Sequence, residues 1–258
     1  MIPKIIHLCW LSGDEYPETI QRCIDSWRKH LPDYEIFIWD TSRFDINSHK
    51  WTKEAFESKK YAFAADYIRL FALYNYGGIY LDSDVLVYKS FDALLDLPYF
   101  IGEDYTHCFE TAVLGAEKGC DWIKQIMERF IDRPFIKEDG SFDTQTLPSV
   151  FHERLLSNYK FRLLKCKDDF DDDEMVINVF PFCYFNSRDF VDIKQYPESF
   201  CSHNFVGSWL KEGGAKSWVK NIIPRSMLNL YDHFVYFTLG IGEFHNIQIP
   251  YQLTKNEV

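Results

Sequence analysis

The sequence predicts an α/β fold with a parallel sheet, and three observations carry that prediction. A short β-branched run at 2–10, an amphipathic stretch at 17–30 and an alternating run at 34–39 give strand, helix and strand at the spacing of a βαβ unit. An Ala- and Leu-rich helix at 61–76 stops at Gly77-Gly78 and leads into a further buried strand. With 258 residues, 47% of them hydrophobic, the chain has the length and composition for one large domain with a sizeable core. We take it as a single domain, with residues 1–115 as the half expected to bind ligand and 116–258 as the closing half.

The elements follow in order. Ile2 to Trp10 reads as the first strand and ends at Ser12-Gly13. From Pro17 to His30, Ile20, Cys23, Ile24, Trp27 and Leu31 recur at i, i+3, i+4 and i+7, the spacing of one helical face, and Pro17 suits the first turn. Tyr34 to Trp39 alternates as a second strand. Tyr61 to Tyr76 is the next helix, and Ile79-Tyr80-Leu81 a buried strand. The polar triplet Asp82-Ser83-Asp84 follows it, ahead of a second apolar run at Val85 to Tyr88. Short strands are expected at Tyr99 to Gly102 and Ala112 to Leu114, and a helix at Asp121 to Phe130. The acidic run Asp168 to Glu174 reads as a solvated loop, because it lacks the glycine and terminal glutamate spacing of a calcium loop.

Composition excludes several classes. A formal net charge of −11 argues against nucleic acid as a partner, since such binders carry a basic face. An acidic protein can still bind a diphosphate if a divalent cation neutralises it. The seven cysteines are scattered and contain no Cys-x-x-Cys pair, so neither a disulfide framework nor a zinc site is expected. The amino terminus lacks the basic and long apolar regions of a signal peptide, and the longest apolar window, Phe234 to Ile241, is too short to span a membrane. The expectation is a cytoplasmic protein. The stretch beyond Cys201, which holds Lys211, Lys216, Lys220 and Arg225 among aromatics, offers a peripheral contact with the inner face of the plasma membrane; a helix with a solvated basic face is the plainer account.

Asp82 and Asp84 sit where an open α/β sheet binds ligands, outside the carboxyl end of a strand. One residue apart on an extended chain, they project to the same side. Hard cations such as Mg²⁺ or Mn²⁺ take oxygen ligands and bridge carboxylates to phosphates. The triplet alone is a weak signal, equally a turn with two solvated aspartates. Asp66 and Arg69, three apart on one face of an otherwise apolar helix, form either an internal ion pair or a sugar-binding pair.

Taken together, Ala65-Asp66-Tyr67-Ile68-Arg69, Leu73-Tyr74 and Tyr76-Gly77-Gly78-Ile79-Tyr80-Leu81-Asp82-Ser83-Asp84 resemble the DXD sugar-binding region of glycosyltransferase family 32. That family includes bacterial capsular-polysaccharide and lipopolysaccharide transferases and yeast mannosyltransferases, and is more distantly similar to the large clostridial glucosylating toxins. The opening Ile2-Pro3-Lys4-Ile5-Ile6-His7 to Trp10, Ser26-Trp27, and His203 with Gly207-Ser208-Trp209 resemble it too. The resemblance implies a GT-A type, Rossmann-like fold with a mixed, mostly parallel central sheet. It implies a retaining hexosyltransferase that uses Mn²⁺ or Mg²⁺ and moves sugar from a nucleotide-sugar donor, UDP-hexose by preference, to a glycan or lipid-linked oligosaccharide of the cell surface, as in capsule or lipopolysaccharide synthesis.

Residue by residue, Trp10 would stack on the donor base and Tyr80 would line the nucleotide pocket. Asp66 and Arg69 would hold the donor sugar; Asp82 would contact ribose and metal-bound water, and Asp84 would ligate the metal. His203 or Asn204 would add a ligand from the far side, with Ser208 and Trp209 approaching the diphosphate and the departing oxygen. Glu103, Asp104, Glu110, Thr111, Asp143 and Gln145 find no match, so the acceptor side is unassigned. The alternative is a non-catalytic sugar- or nucleotide-binding protein with a degenerate site. A phosphohydrolase using Asp82 as nucleophile is disfavoured, because Leu86 occupies the position of its threonine.

Overall fold

A computed structural model describes residues 1–104, 108–185 and 197–204 of the chain. It is an α/β protein with the element order β1 (Ile5–Cys9), α1 (Glu18–His30), β2 (Glu35–Trp39), α2 (Lys50–Glu57), α3 (Tyr61–Tyr76), β3 (Gly78–Leu81), β4 (Val85–Val87), β5 (Tyr99–Glu103), β6 (Phe109–Ala116), α4 (Asp121–Met127), α5 (Leu147–Leu155), β7 (Lys160–Leu163), β8 (Val176–Val179) and β9 (Cys201–His203).

The central sheet runs β2-β1-β3-β6-β5. The expected βαβ unit is present: β1 pairs in parallel with both β2 and β3. The sheet is mixed, because β3 meets β6 and β6 meets β5 antiparallel. One core lies between the sheet and α2–α5, and a second lies on the other face under α1 and β4. Alternation along β3 divides its side chains between them, with Tyr80 facing the first and Ile79 and Leu81 the second.

α1 buries Ile20, Cys23, Ile24 and Trp27, the stripe its spacing predicts, and carries Arg28, Lys29 and His30 in its last turn, where cations suit the helix dipole. α3 is different. Every residue from Phe63 to Leu70 is buried, because the helix lies between the sheet and α2 and α4. Gly77 ends it at φ +68°, and Gly78 follows at φ +111°. A Cβ on Gly77 would lie 2.7 Å from the Lys118 nitrogen, and one on Gly78 would lie 2.6 Å from the Ile5 carbonyl oxygen. Both positions therefore require glycine, and together they set β3 directly beside β1.

Three details differ from the sequence expectation. The helix at 121–130 is α4 finished by a 3₁₀ turn at Glu128–Phe130. The strand at 112–114 is the middle of the longer β6, and Val85 to Tyr88 shortens to β4. The sequence reading names no counterpart to α2, α5, β7, β8 and β9. None of the seven cysteines is in a disulfide. Among the described residues no helix is long and apolar enough to cross a membrane. The basic aromatic stretch with Lys211, Lys216, Lys220 and Arg225 lies outside the described residues.

Candidate active site and metal centre

β1 and β3 run parallel with His7 opposite Tyr80, so their carboxyl ends coincide. Trp10 therefore leaves the sheet beside Asp82. Trp10 is half-buried, packs against Tyr16 at 4.7 Å and donates its indole N–H to the Asp14 carbonyl at 2.8 Å. These two contacts hold the ring by its edge.

The two aspartates converge, though not by the extended geometry the spacing suggested. The Val85 N–H donates to the Asp82 carbonyl at 3.0 Å, so Asp82 to Val85 is a turn. Two residues of α1 hold the outgoing strand. Trp27 donates its Nε1–H to the Val85 carbonyl at 2.7 Å, and Ser26 Oγ accepts from the Val87 N–H at 2.9 Å. The Ser26-Trp27 pair thus ties the chain just after Asp84 to α1. β4 pairs antiparallel with β9, which places His203 opposite Val85. Ligand atoms of Asp82, Asp84 and His203 all lie within 4.8 Å of one another.

His203 Nε2 is 3.4 Å from Asp84 Oδ1, and its Nδ1 is 3.5 Å from Glu110 Oε1. Burial lowers the His203 imidazole, but Glu110 and Asp84 outweigh it and hold the ring well above its usual range. This cluster of carboxylates attracts positive charge, whether a proton on His203 or a cation in front of it. Two carboxylates and an imidazole in reach of one point are a fitting donor set for a divalent cation. Asn204 donates its backbone N–H to the Asp84 carbonyl at 3.1 Å and its side-chain amide to Cys23 Sγ at 3.3 Å. The structure thus brings His203 to the aspartates and turns the Asn204 side chain to α1.

Beneath the carboxylates lies a buried charge network. Arg69 Nη2 is 3.1 Å from Asp66 Oδ1 and 3.4 Å from Asp82 Oδ1, while Nη1 donates to the Thr111 carbonyl at 2.8 Å. Its guanidinium lies 4.5 Å over the Tyr80 ring. The alternatives left open for Asp66 and Arg69 are not exclusive: they are an ion pair, and they face the site. Arg69 Nε is buried with no hydrogen-bond partner among the described residues. Burial pushes the Asp66 carboxyl up to about 7, although Arg69 pulls it down. Burial also lowers Arg69, but Asp82, Tyr80 and Asp66 more than restore its charge. Tyr80, only 1% exposed, has its ring in the core rather than in a pocket wall, and its hydroxyl donates to Asp82 Oδ1 at 2.7 Å.

The unmatched residues find places as well. Asp143 and Gln145 accept from Arg133 at 2.8 Å each, and Arg133 stacks on Trp51 at 4.6 Å. Trp51 in turn donates to the Phe63 carbonyl, one turn of α3 before Asp66, and the Arg133 charge helps to lower the Asp66 carboxyl. Glu103, Glu110 and Thr111 are buried on β5 and β6. Sequence reasoning left Glu110 unassigned; its signal was a carboxylate inside an apolar run. Ser208 and Trp209 lie outside the described residues.

Residues 17–101 match the family model for the glycosyltransferase sugar-binding region containing the DXD motif. Asp66, Arg69, Asp82 and Asp84 all lie inside this match, which spans about a third of the chain. The inositol phosphoceramide mannosyltransferase 3 of Schizosaccharomyces pombe is 36% identical over 134 residues, which cover 49% of this chain and 36% of that protein. The mannosyl phosphorylinositol ceramide synthase SUR1 of Saccharomyces cerevisiae is 35% identical over 108 residues, covering 39% of this chain and 27% of that protein. The matches thus span well under half the length of either relative. A solved glycosyltransferase involved in glycosylation of the major capsid of PBCV-1 aligns over 78% of this chain and 93% of its own, at 12% identity and a TM-score of 0.48. The two relatives are fungal and named for ceramide mannosylation, not for the bacterial capsule or lipopolysaccharide that the motif led us to expect.

Proposed function

We propose that the chain is a metal-dependent, retaining hexosyltransferase of the GT-A type, taking its sugar from a nucleoside diphosphate. The observation that carries this reading is the convergence of Asp82, Asp84 and His203 within 4.8 Å at the end of β3, beside the buried Asp66–Arg69 pair. Asp84, Asp82 and His203 would hold the cation, and the imidazole among them favours Mn²⁺ over the harder Mg²⁺. Such a cation supplies Lewis-acid charge to the departing diphosphate.

The chain's own residues do the rest. Trp10 presents its ring at the mouth for the base. Asp66 accepts from hydroxyls of the sugar, and the unused Arg69 N–H donates to a donor oxygen; a preformed donor of this kind costs no reorganisation during reaction. Tyr80 holds the Asp82 carboxylate in place through its hydroxyl. Ser208 and Trp209 would complete the diphosphate side. Retention fits a front-face displacement: the bond from the anomeric carbon to the diphosphate oxygen breaks as the acceptor hydroxyl bonds to the same face, and its proton passes to the diphosphate. A trapped covalent sugar–enzyme adduct would refute that route.

The names of the two relatives support mannose as the hexose and a lipid-borne hydroxyl as the acceptor. They give less support to a UDP-hexose and a bacterial surface glycan. A non-catalytic sugar-binding protein is the rival, and the complete carboxylate set speaks against it. The test is release of nucleoside diphosphate from GDP-mannose, UDP-glucose and UDP-galactose by the purified chain with Mn²⁺. Turnover with one donor, silenced by EDTA and cut by about 100-fold or more in Asp84→Asn without loss of the folded state, is expected. Donor binding with no turnover in any arm would leave the rival standing, and undiminished turnover by Asp84→Asn would overturn the site.

A further inference from the structure

We propose that Glu110 is a positioning residue: it holds the His203 ring through Nδ1 so that Nε2 faces the cation, and it thereby sets the affinity of the metal centre. This rests on the metal-dependent reading above and adds to it a residue that neither the motif nor the comparisons assign.

The geometry begins with β6. Its pairing with β5 is regular from Ala116 to Leu114, then slips, so that Glu110 stands opposite Gly102 while Leu114 stands opposite Ile101. Such a bulge turns side chains out of the alternating pattern. At this one, the Thr111 carbonyl receives Arg69 and the Glu110 carboxylate comes to His203. Glu110 is itself anchored, since its Oε1 accepts the Ala112 N–H at 2.8 Å, and its side chain is 4% exposed. His203 sits on a three-residue strand whose partner among the described residues is β4.

An imidazole that binds a metal through one nitrogen must have the other held, or the ring turns away. A carboxylate is the usual partner, and its removal costs about 10- to 100-fold in metal affinity. Here the two ring nitrogens face two different groups: Nδ1 meets Glu110 at 3.5 Å, and Nε2 meets Asp84 at 3.4 Å. With Nδ1–H directed at Glu110, the Nε2 lone pair is left toward Asp84 and Asp82. The plainer account is that Glu110 only fastens the bulge through Ala112, with His203 indifferent to it.

The two accounts separate in a Mn²⁺ titration of the purified chain without nucleotide. Free ion would be read by electron paramagnetic resonance, and ligand nitrogen by its echo modulation. Glu110→Ala is expected to weaken Mn²⁺ by about 10- to 100-fold and to diminish the imidazole nitrogen signal. In a His203→Ala background the same substitution should cause no further loss, because its effect passes through the ring. Glu110→Gln keeps an oxygen for the Ala112 N–H and carries the test should the alanine variant not fold. It should weaken Mn²⁺ by about tenfold with His203 present and not at all without it. Equal losses in both backgrounds, or wild-type affinity in the Glu110 variants, would overturn the proposal. Failure of the wild-type chain to bind Mn²⁺ would overturn the metal-dependent reading itself, and this one with it.

Discussion

Arg69 is a cation shared by Asp66 and Asp82, and replacing it with methionine tests whether the buried network is held together by charge. Arg69→Met keeps similar length and removes the charge. It leaves two carboxylates facing each other and the Thr111 carbonyl without its 2.8 Å donor. Breaking a buried ion pair by removing one partner costs about 3–5 kcal/mol, and an orphaned carbonyl about 1–3 kcal/mol. Asp66 has an escape, because burial already pushes its carboxyl up to about 7 and loss of Arg69 pushes it further. The variant therefore takes up a proton near neutrality, which limits the total to about 4 kcal/mol. In the wild type, the folded state holds the Asp66 proton longer than the unfolded chain does, so this carboxyl lends stability below its ordinary range that is lost as pH rises through about 7. In Arg69→Met the loss continues to higher pH, so the variant should be hurt more at about pH 8.5 than at about pH 6.

Urea unfolding at both pH values measures this. Asp66→Leu should recover part of the loss in the Arg69→Met background while costing stability alone, a coupling of opposite sign to additivity. An Arg69→Met chain within about 0.5 kcal/mol of wild type at both pH values would refute the reasoning, as would strictly additive effects of the two substitutions.

Two further outcomes are expected. His7 is fully buried, accepts the Trp39 indole N–H at Nδ1, faces the Gly77 carbonyl through Nε2 at 2.7 Å, and is lowered by burial to about 4. As pH falls, the unfolded chain takes the proton first, so stability should drop by about 3 kcal/mol between pH 6.5 and about 4; a His7→Gln chain with the same acid loss in urea unfolding would show that the proton goes elsewhere. Any Cβ at Gly115 would collide with the buried Phe100 ring across the sheet. Gly115→Ala should then lower stability by about 1–3 kcal/mol, and a thermal midpoint equal to wild type would show that the ring has somewhere to go.

Which parts were legible in the sequence follows from where the signals are local. α1 and α3 announce themselves by helical spacing and by Gly77-Gly78, and α3 runs from Tyr61 to Tyr76 as read. α2 is eight residues with Trp51, Thr52 and Ala55 as its buried face, too short a stripe to stand out. β7 is mostly exposed, so it lacks an apolar alternation. In the site, Asp66, Arg69, Asp82 and Asp84 lie close in sequence and could be found by motif. His203 could be found only through resemblance, since no spacing rule connects it to residues more than a hundred positions earlier. Glu110 and the register slip that turns it depend on how β6 meets β5, a tertiary event that leaves no periodic trace. For Tyr80 the resemblance implies a place in the nucleotide pocket and the strand pattern equally allows a core tyrosine; its ring lies in the core and its hydroxyl reaches Asp82.

The β4–β9 pairing has a consequence for how the protein comes into being. Asp82 and the chain just after Asp84 are held by contacts among the first 120 or so residues, through α1 and β6, whereas the Asp84 carbonyl also waits for the Asn204 N–H. The imidazole that joins them belongs to a strand translated much later, whose docking must close a loop of roughly that length again, an entropic toll of a few kcal/mol. A growing polypeptide would thus carry an incomplete ion trap until Cys201–His203 lies down along β4. Assembly of the centre is in this sense a signal that the chain has been made at least as far as His203.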